Sequence, residues 1–451
     1  MKPNNAFSRI YALNKYNNMR LCCRSRASPR MFNDEHDSKH GEYIYMPKTA
    51  STVETSTPLI LADRMQRLGT ESAFDVLARV NRLRAEGRDI LSFGLGEPDF
   101  DTPEHIKEAG KTAIDQNFTH YGPSSGLPDL REAIANYISQ TRGVTVGAEN
   151  IFVSPGAKPV LFAAMMALIN PGDQVIYPSP GYPIYESLAD WLGAETIPAR
   201  LREENDWRYD ADELAALITP RTKAIVLNSP QNPTGGMLLK EDMEAIAELA
   251  IRHNLWVITD EIYSQIVFDD PFASILSVPG MEERTVVVDG FSKTYSMTGW
   301  RIGFGVCRAD LAVHMGRIET NLHSCTATFT QKAAITALEG SQVDAQAMTA
   351  AFRRRAALIT ELLNGIDGVS CRKPRGAFYV LPNVTGACKR LGLSNANALC
   401  DYLLQEANVA VLPRTCFGRR LEEDEYIRLS FATSDENIVE GLRRIKTAIE
   451  R

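Results

Sequence analysis

The strongest constraint on the fold is a series of short apolar runs, rich in β-branched residues, that do not alternate with polar ones. "NIFVSPG" (150–156), "DQVIYPSP" (173–180), "ETIPARL" (195–201), "KAIVLNSP" (223–230), "LWVITDEIY" (255–263), "TVVVDGFSK" (285–293) and "RIGFGVC" (301–307) each read as a strand. A strand with one wet face alternates, so runs apolar on both faces belong to a sheet covered on both sides. Helical stretches lie between them: "AKPVLFAAMMALI", "YPIYESLADWLG" and the amphipathic "KEDMEAIAELAIRHN". The alternation predicts an α/β core with a mostly parallel sheet.

Composition narrows the function classes. The chain has 451 residues, 44% hydrophobic and 23% charged, with a net charge of -7, the profile of an ordinary globular protein. An acidic balance gives no field to gather nucleic acid or an anionic membrane. The longest apolar run, "VLFAAMMALI" at 160–169, is far short of the ~20 residues of a membrane helix and reads as a core helix. Eight cysteines are scattered without metal-ligand spacing and read as reduced packing thiols.

Residues 1–57 stand apart. Seven basic side chains and no acidic one fall within residues 1–33, a bias of organelle transit peptides. The alternative is that translation begins at Met46, which makes the protein cytoplasmic and the preceding stretch an upstream extension. Either way the segment is expected to be a disordered extension outside the fold.

In a parallel sheet, ligands gather at the carboxyl ends of the strands. Here those ends carry the unusual polar residues: "SPGAK", "NSPQNPTGG", "DEIY" and "GFSK". Singly each has a plain structural reading: Lys293 and Arg301 as surface charges, Asn232 as a turn residue, Asp260 as a helix cap, Tyr182 as core and Gly156 as a strand end. Together on one rim they suit a carbonyl cofactor held by a lysine, of which pyridoxal phosphate is the commonest. Gly156 and Ala157 could present backbone N–H groups to its phosphate, with Arg301 adding a forked contact. Asp260 could keep its pyridine nitrogen protonated, Tyr263 and Asn232 could bond its ring oxygen, and Tyr182 could stack on its ring.

The motifs "SKTYSMTGWRIGF", "NSPQNPTGG", "TDEIY", "GEPDFDTP" and "YIRLSFATS" make the chain, from about residue 58 onward, resemble the class I/II aminotransferases. These are pyridoxal-phosphate enzymes of fold type I, and the resemblance is to the branch that includes bacterial aspartate aminotransferases. It implies a seven-stranded, mostly parallel sheet in a large domain of 106–345, with residues 58–105 and 346–451 forming a smaller α+β domain that closes over substrate. It implies that Lys293 is the Schiff-base lysine and the acid/base, that Ser292 and Lys158 stand with it among the cofactor contacts, and that Arg428 and Gly96 hold the substrate α-carboxylate. Tyr182 and Asn232 count among the substrate contacts as well. Tyr121 in "THYGPSSG" matches the residue that reaches the cofactor of a neighbouring subunit, which implies a homodimer with shared sites.

The implied reaction is ping-pong transfer of an amino group from an L-amino acid, aspartate or glutamate, to a 2-oxo acid. Lys158 matches a position that some relatives use to read an acidic side chain. Two departures bear on substrate: Tyr182 where many aspartate aminotransferases have tryptophan, and Arg414 in "VLPRTCFG" where the family commonly has glycine. They keep alanine or aromatic amino acids open as substrates, and a C–S β-lyase open as the activity. A non-catalytic regulator of this fold would carry a DNA-binding domain ahead of it, and residues 1–57 lack the length and periodicity for one.

Overall fold

The computed structural model describes residues 59–69 and 73–451. The basic extension, with Cys22, Cys23 and Met46, lies outside the described residues. Residues 61–451 form one compact unit. Among the described residues no helix is long and apolar enough to cross a membrane.

Seven strands form the central sheet: β1 (Ile151–Ser154), β2 (Gln174–Ser179), β3 (Glu195–Arg200), β4 (Thr222–Asn228), β5 (Trp256–Asp260), β6 (Thr285–Gly290) and β7 (Gly303–Val306). Their order is β1-β7-β6-β5-β4-β2-β3, and every pairing is parallel except those of β7, which runs against both β1 and β6. The sheet is therefore mostly parallel, as its unbroken apolar runs require.

Alternate residues of one strand feed different cores. Val226, Ile258, Val286 and Val288 pack with helix α1 (Ala157–Leu168), whereas Ile225, Leu227 and Val257 pack with Met243, Ile246 and Ala250 of the amphipathic helix Lys240–Arg252. Val287 joins a third cluster with Ile134, Ile138 and Phe304. Burying each such side chain stabilises by about 1.5–3 kcal/mol. A polar substitution at any of them would face apolar neighbours on whichever side it pointed.

A separate core lies in the later part of the chain. Helix α2 (Val343–Asn364) buries Phe352, Ala356, Ile359 and Leu363, and helix α3 (Asp435–Glu450) buries Ile438, Leu442, Ile445 and Ile449. Both sets follow the same helical stripe, so the two helices pack face to face. They flank a three-stranded antiparallel sheet, Leu412–Pro413, Ile427–Ser430 and Tyr379–Val380, in which Tyr379 pairs with Ser430 and Val380 with Leu429. This small sheet carries Arg428 to the cavity described next.

Candidate active site

The carboxyl ends of β1, β4, β5 and β6 open into one cavity of about 420 Å³. Its lining includes Gly96, Ala157, Lys158, Tyr182, Asn232, Asp260, Tyr263, Ser292, Lys293, Arg301 and Arg428. Of the residues singled out from sequence, Gly156 and Tyr121 do not line it. Tyr121 is 90% exposed, and Gly156 lies directly behind Arg301.

Lys293 follows β6 and is half-buried. Its Nζ donates to the Gly96 carbonyl at 2.5 Å and lies 5.8 Å from the centre of the Phe378 ring. Burial lowers its pKa to about 8; Arg428 and Arg301 push the same way, against Glu97 and Asp260. A lysine in this state supplies a neutral amine near neutral pH, which a solvated one does not.

Asp260 ends β5, where its register partner on β4 is Asn228. Burial pushes its carboxyl up to about 6, opposed by the Tyr185 hydroxyl, which donates to Oδ2 at 2.7 Å, and by the Ile262 amide at 3.2 Å. A buried carboxylate so placed gains strongly from a cationic partner. Asn228 braces the rim: its Nδ2 donates to the Asp260 carbonyl at 3.0 Å, and its Oδ1 accepts the Asn232 amide at 3.0 Å. Behind these strand ends the buried Arg142 bridges Glu261 at 3.0 Å and Asp289 at 2.9 Å, tying "DEIY" to "DGFSK".

The turn from β1 into α1 forms the opposite edge. Gly156 has φ +99°, a left-handed conformation that L side chains rarely adopt, and a Cβ there would collide with the Arg301 guanidinium. Its amide, read from sequence as a phosphate donor, donates instead to the Ser154 carbonyl at 2.8 Å. What Gly156 contributes is room for Arg301. Arg301 arrives just before β7 with φ +52°, and its Nη1 donates to the Thr298 carbonyl at 2.8 Å. Ala157, first residue of α1, and Arg301 both face the cavity, so a helix amino end and a guanidinium could share one anion there.

Arg428 is buried between two rings, 4.6 Å from the Tyr379 centroid and 4.8 Å from that of Phe417. Its Nη1 donates to Asn232 Oδ1 at 3.0 Å and its Nη2 to the Gly94 carbonyl at 2.5 Å. Lys158, half-buried at the rim, holds its ammonium 5.6 Å above the Tyr182 ring. No group of three or more metal-ligating side chains is present among the described residues.

Sequence reasoning left Arg414 either altering the pocket or pointing outward. The structure overturns the second, because the side chain does not point outward. Arg414 is buried and does not line the cavity. It pairs with Glu422 at 2.6 Å and donates to Ser179 Oγ at 2.8 Å and to the Phe417 carbonyl at 2.9 Å, pinning the loop 414–422 to the end of β2. Sequence reading also passed over Tyr185, Asn228, Glu97 and Tyr379, all of which line the cavity. Tyr185 lay in the quoted "PGYPIY", and Tyr379 follows a glycine in "GAFYVLP".

Comparison with known proteins agrees with this arrangement. The aminotransferase class I and II family profile matches residues 88–445. The aspartate aminotransferase of Musicola paradisiaca is 38% identical over 392 residues, covering 86% of this chain and 96% of that protein. A probable aspartate/prephenate aminotransferase of Aquifex aeolicus is 39% identical over 394 residues, covering 86% and 98%. The crystal structure of the aspartate aminotransferase from Rhizobium meliloti superposes with a TM-score of 0.83 at 36% identity, covering 87% of this chain and 100% of that one. A family match spanning most of the chain places it among the class I and II aminotransferases, as a pyridoxal-phosphate-dependent transaminase acting on amino acids and 2-oxo acids.

Proposed function

We propose that the chain moves the amino group of L-aspartate or L-glutamate to 2-oxoglutarate or oxaloacetate, working as a homodimer. The observation that carries this reading is that a lysine amine with its pKa lowered to about 8, a buried carboxylate and a buried guanidinium face one cavity. Pyridoxal phosphate, when bound, supplies an aldehyde carbon and a ring that takes up electrons from the substrate α-carbon.

The protein's own residues do the rest. Asp260 would hold a proton on the ring nitrogen, and Tyr263 and Asn232 would donate toward the ring oxygen. Arg301, for which Gly156 leaves room, would hold the phosphate together with Ser292 and the Ala157 amide. Arg428 grips the α-carboxylate in a forked contact, supported by the backbone of Gly96. That grip would align the α-hydrogen with the amine of Lys293, the residue that would hold the cofactor and act as the base toward that hydrogen. Closure of the smaller domain, residues 58–105 and 346–451, over the cavity would exclude water, and the same residues would work in reverse on the second 2-oxo acid.

Lys158 at the rim supports a dicarboxylate donor, as does the recurrence of aspartate in the names of the relatives. The exposed Tyr121 supports a dimer, in which it would reach the cofactor phosphate of a second copy. Val76, Leu77 and Leu95, which also line the cavity, favour a second reading in which a bulkier, partly apolar acceptor is taken as well.

The test is the visible absorbance of the holoenzyme on adding aspartate, glutamate, alanine or phenylalanine, with products assayed. Bleaching by the two dicarboxylates at least about tenfold faster than by the others, lost selectively in Lys158→Met, is the expected result. Bleaching by alanine or phenylalanine alone would overturn the substrate assignment. Pyruvate and ammonia released from a β-substituted amino acid, with no amine transferred, would assign a β-lyase instead.

A further inference from the structure

We infer that Tyr379 is a positioning residue that sets two groups at once, the hydroxyl of Tyr263 on the cofactor side and the guanidinium of Arg428 on the substrate side. The inference rests on the roles proposed above for those two residues.

The side chain of Tyr379 is buried to 1% exposure and is fixed from several directions. Its strand pairs with the one that carries Arg428. Phe378 and Tyr263 pack against its ring at centroid distances of 4.8 and 5.7 Å. A Cβ on Gly96 would strike its hydroxyl, and one on Gly235 would strike its carbonyl. A ring so enclosed has little rotamer freedom, so the groups that touch it inherit its position.

Its two ends do different work. The Tyr379 hydroxyl meets the Tyr263 hydroxyl at 2.9 Å. A phenol has one proton to give. When Tyr379 donates to Tyr263, it leaves the Tyr263 proton to point into the cavity and polarises that hydroxyl, which makes it a stronger donor there; once the Tyr379 hydroxyl is removed, Tyr263 donates more weakly. The ring face of Tyr379 supports the Arg428 guanidinium at 4.6 Å, opposite Phe417, and such a desolvated cation–ring contact resists displacement of the charge. The two functions sit on separate atoms, so they can be removed separately.

The experiment compares Tyr379→Phe, which loses only the hydroxyl, with Tyr379→Leu, which loses the ring as well, both as holoenzymes. Two quantities are read: the pH midpoint of the visible cofactor band, and KM against kcat for the amino-acid donor. Tyr379→Phe is expected to raise the midpoint by about half to one pH unit, the worth of one hydrogen bond, with KM changed less than about twofold. Tyr379→Leu is expected to raise the midpoint equally and also to raise KM by about tenfold, with kcat less affected.

Tyr263→Phe and Arg428→Lys serve as controls. If Tyr263→Phe leaves the midpoint unmoved, or Arg428→Lys leaves KM unmoved, the role proposed for that residue is wrong. If the controls shift and Tyr379→Phe does not, or Tyr379→Leu matches Tyr379→Phe in KM, the positioning role of Tyr379 is wrong. A Tyr263→Phe/Tyr379→Phe protein should show no midpoint shift beyond that of Tyr263→Phe alone; an additive shift would also overturn it, because Tyr379 would then act independently of Tyr263.

Discussion

Replacing Arg414 by methionine keeps much of the side chain's length and removes its charge and its donors. The Glu422 carboxylate, 2.6 Å away and 9% exposed, is then left buried without its partner. Ser179 Oγ loses a donor at 2.8 Å, while the Phe417 carbonyl still accepts the Gly181 amide at 3.1 Å. Breaking a buried ion pair from one side costs about 3–5 kcal/mol. The compact unit of roughly 390 residues carries about 0.8 kcal/mol/K of unfolding entropy, so the thermal midpoint should fall by about 4–6 °C.

Scanning calorimetry at a fixed rate measures the fall. Glu422→Leu added to Arg414→Met removes the orphaned charge and should restore at least about half of the loss. Because the Arg414 loop presents Phe417 to the Arg428 guanidinium, KM for the amino acid should rise in Arg414→Met even where the protein is folded. A midpoint within about 1 °C of the parent would refute the account of Arg414 as a buried anchor.

Three further outcomes follow from the site. Labelling of the cofactor-free protein by a small neutral aldehyde, trapped by reduction, should speed up about tenfold per pH unit and level off near pH 8, because burial lowers the Lys293 pKa to about 8. A break near the ordinary 10.5 would contradict this. The sign for stability is set by the same shift. Between about pH 8 and the unfolded value of 10.5 the unfolded chain holds more protons, so the cost of burying Lys293 fades as pH rises through that window. Asp260→Asn keeps an acceptor for the Tyr185 hydroxyl but removes the charge, and should slow the single-turnover half-reaction by at least about 100-fold; an unchanged rate would remove Asp260 from the chemistry.

The sheet was legible because its strands are unbroken apolar runs punctuated by glycine, proline and asparagine, and periodicity together with turn chemistry reports both features locally. The rim was legible for the same reason: "NSPQNPTGG", "DEIY" and "GFSK" sit where strands end. What the sequence hid depends on contacts between distant segments. Arg414 meets Ser179 across 235 positions, and nothing near either residue marks the pairing. Tyr379 stands on a two-residue strand, too short for any period, and an aromatic in "GAFYVLP" reads as core, which it also is. The Gly156 amide turns toward Ser154 through a φ of +99°, a property of the folded turn that the sequence around it does not report.

The reversed strand β7 has a consequence for how this protein could be rebuilt. Five strands of the sheet, β1, β2, β4, β5 and β6, deliver residues to the rim at their ends, whereas β7 delivers Arg301 at its beginning, because it runs the other way. Lys293 and Arg301 therefore share one short excursion of the chain, leaving from Gly290 and returning at Gly303, which are register partners on β6 and β7. Two of the cavity's cations are thus encoded in a single contiguous cassette anchored by adjacent strands. Gly290–Phe304 could be transplanted from another member of the family as one piece, and its two ends would already lie side by side in the recipient.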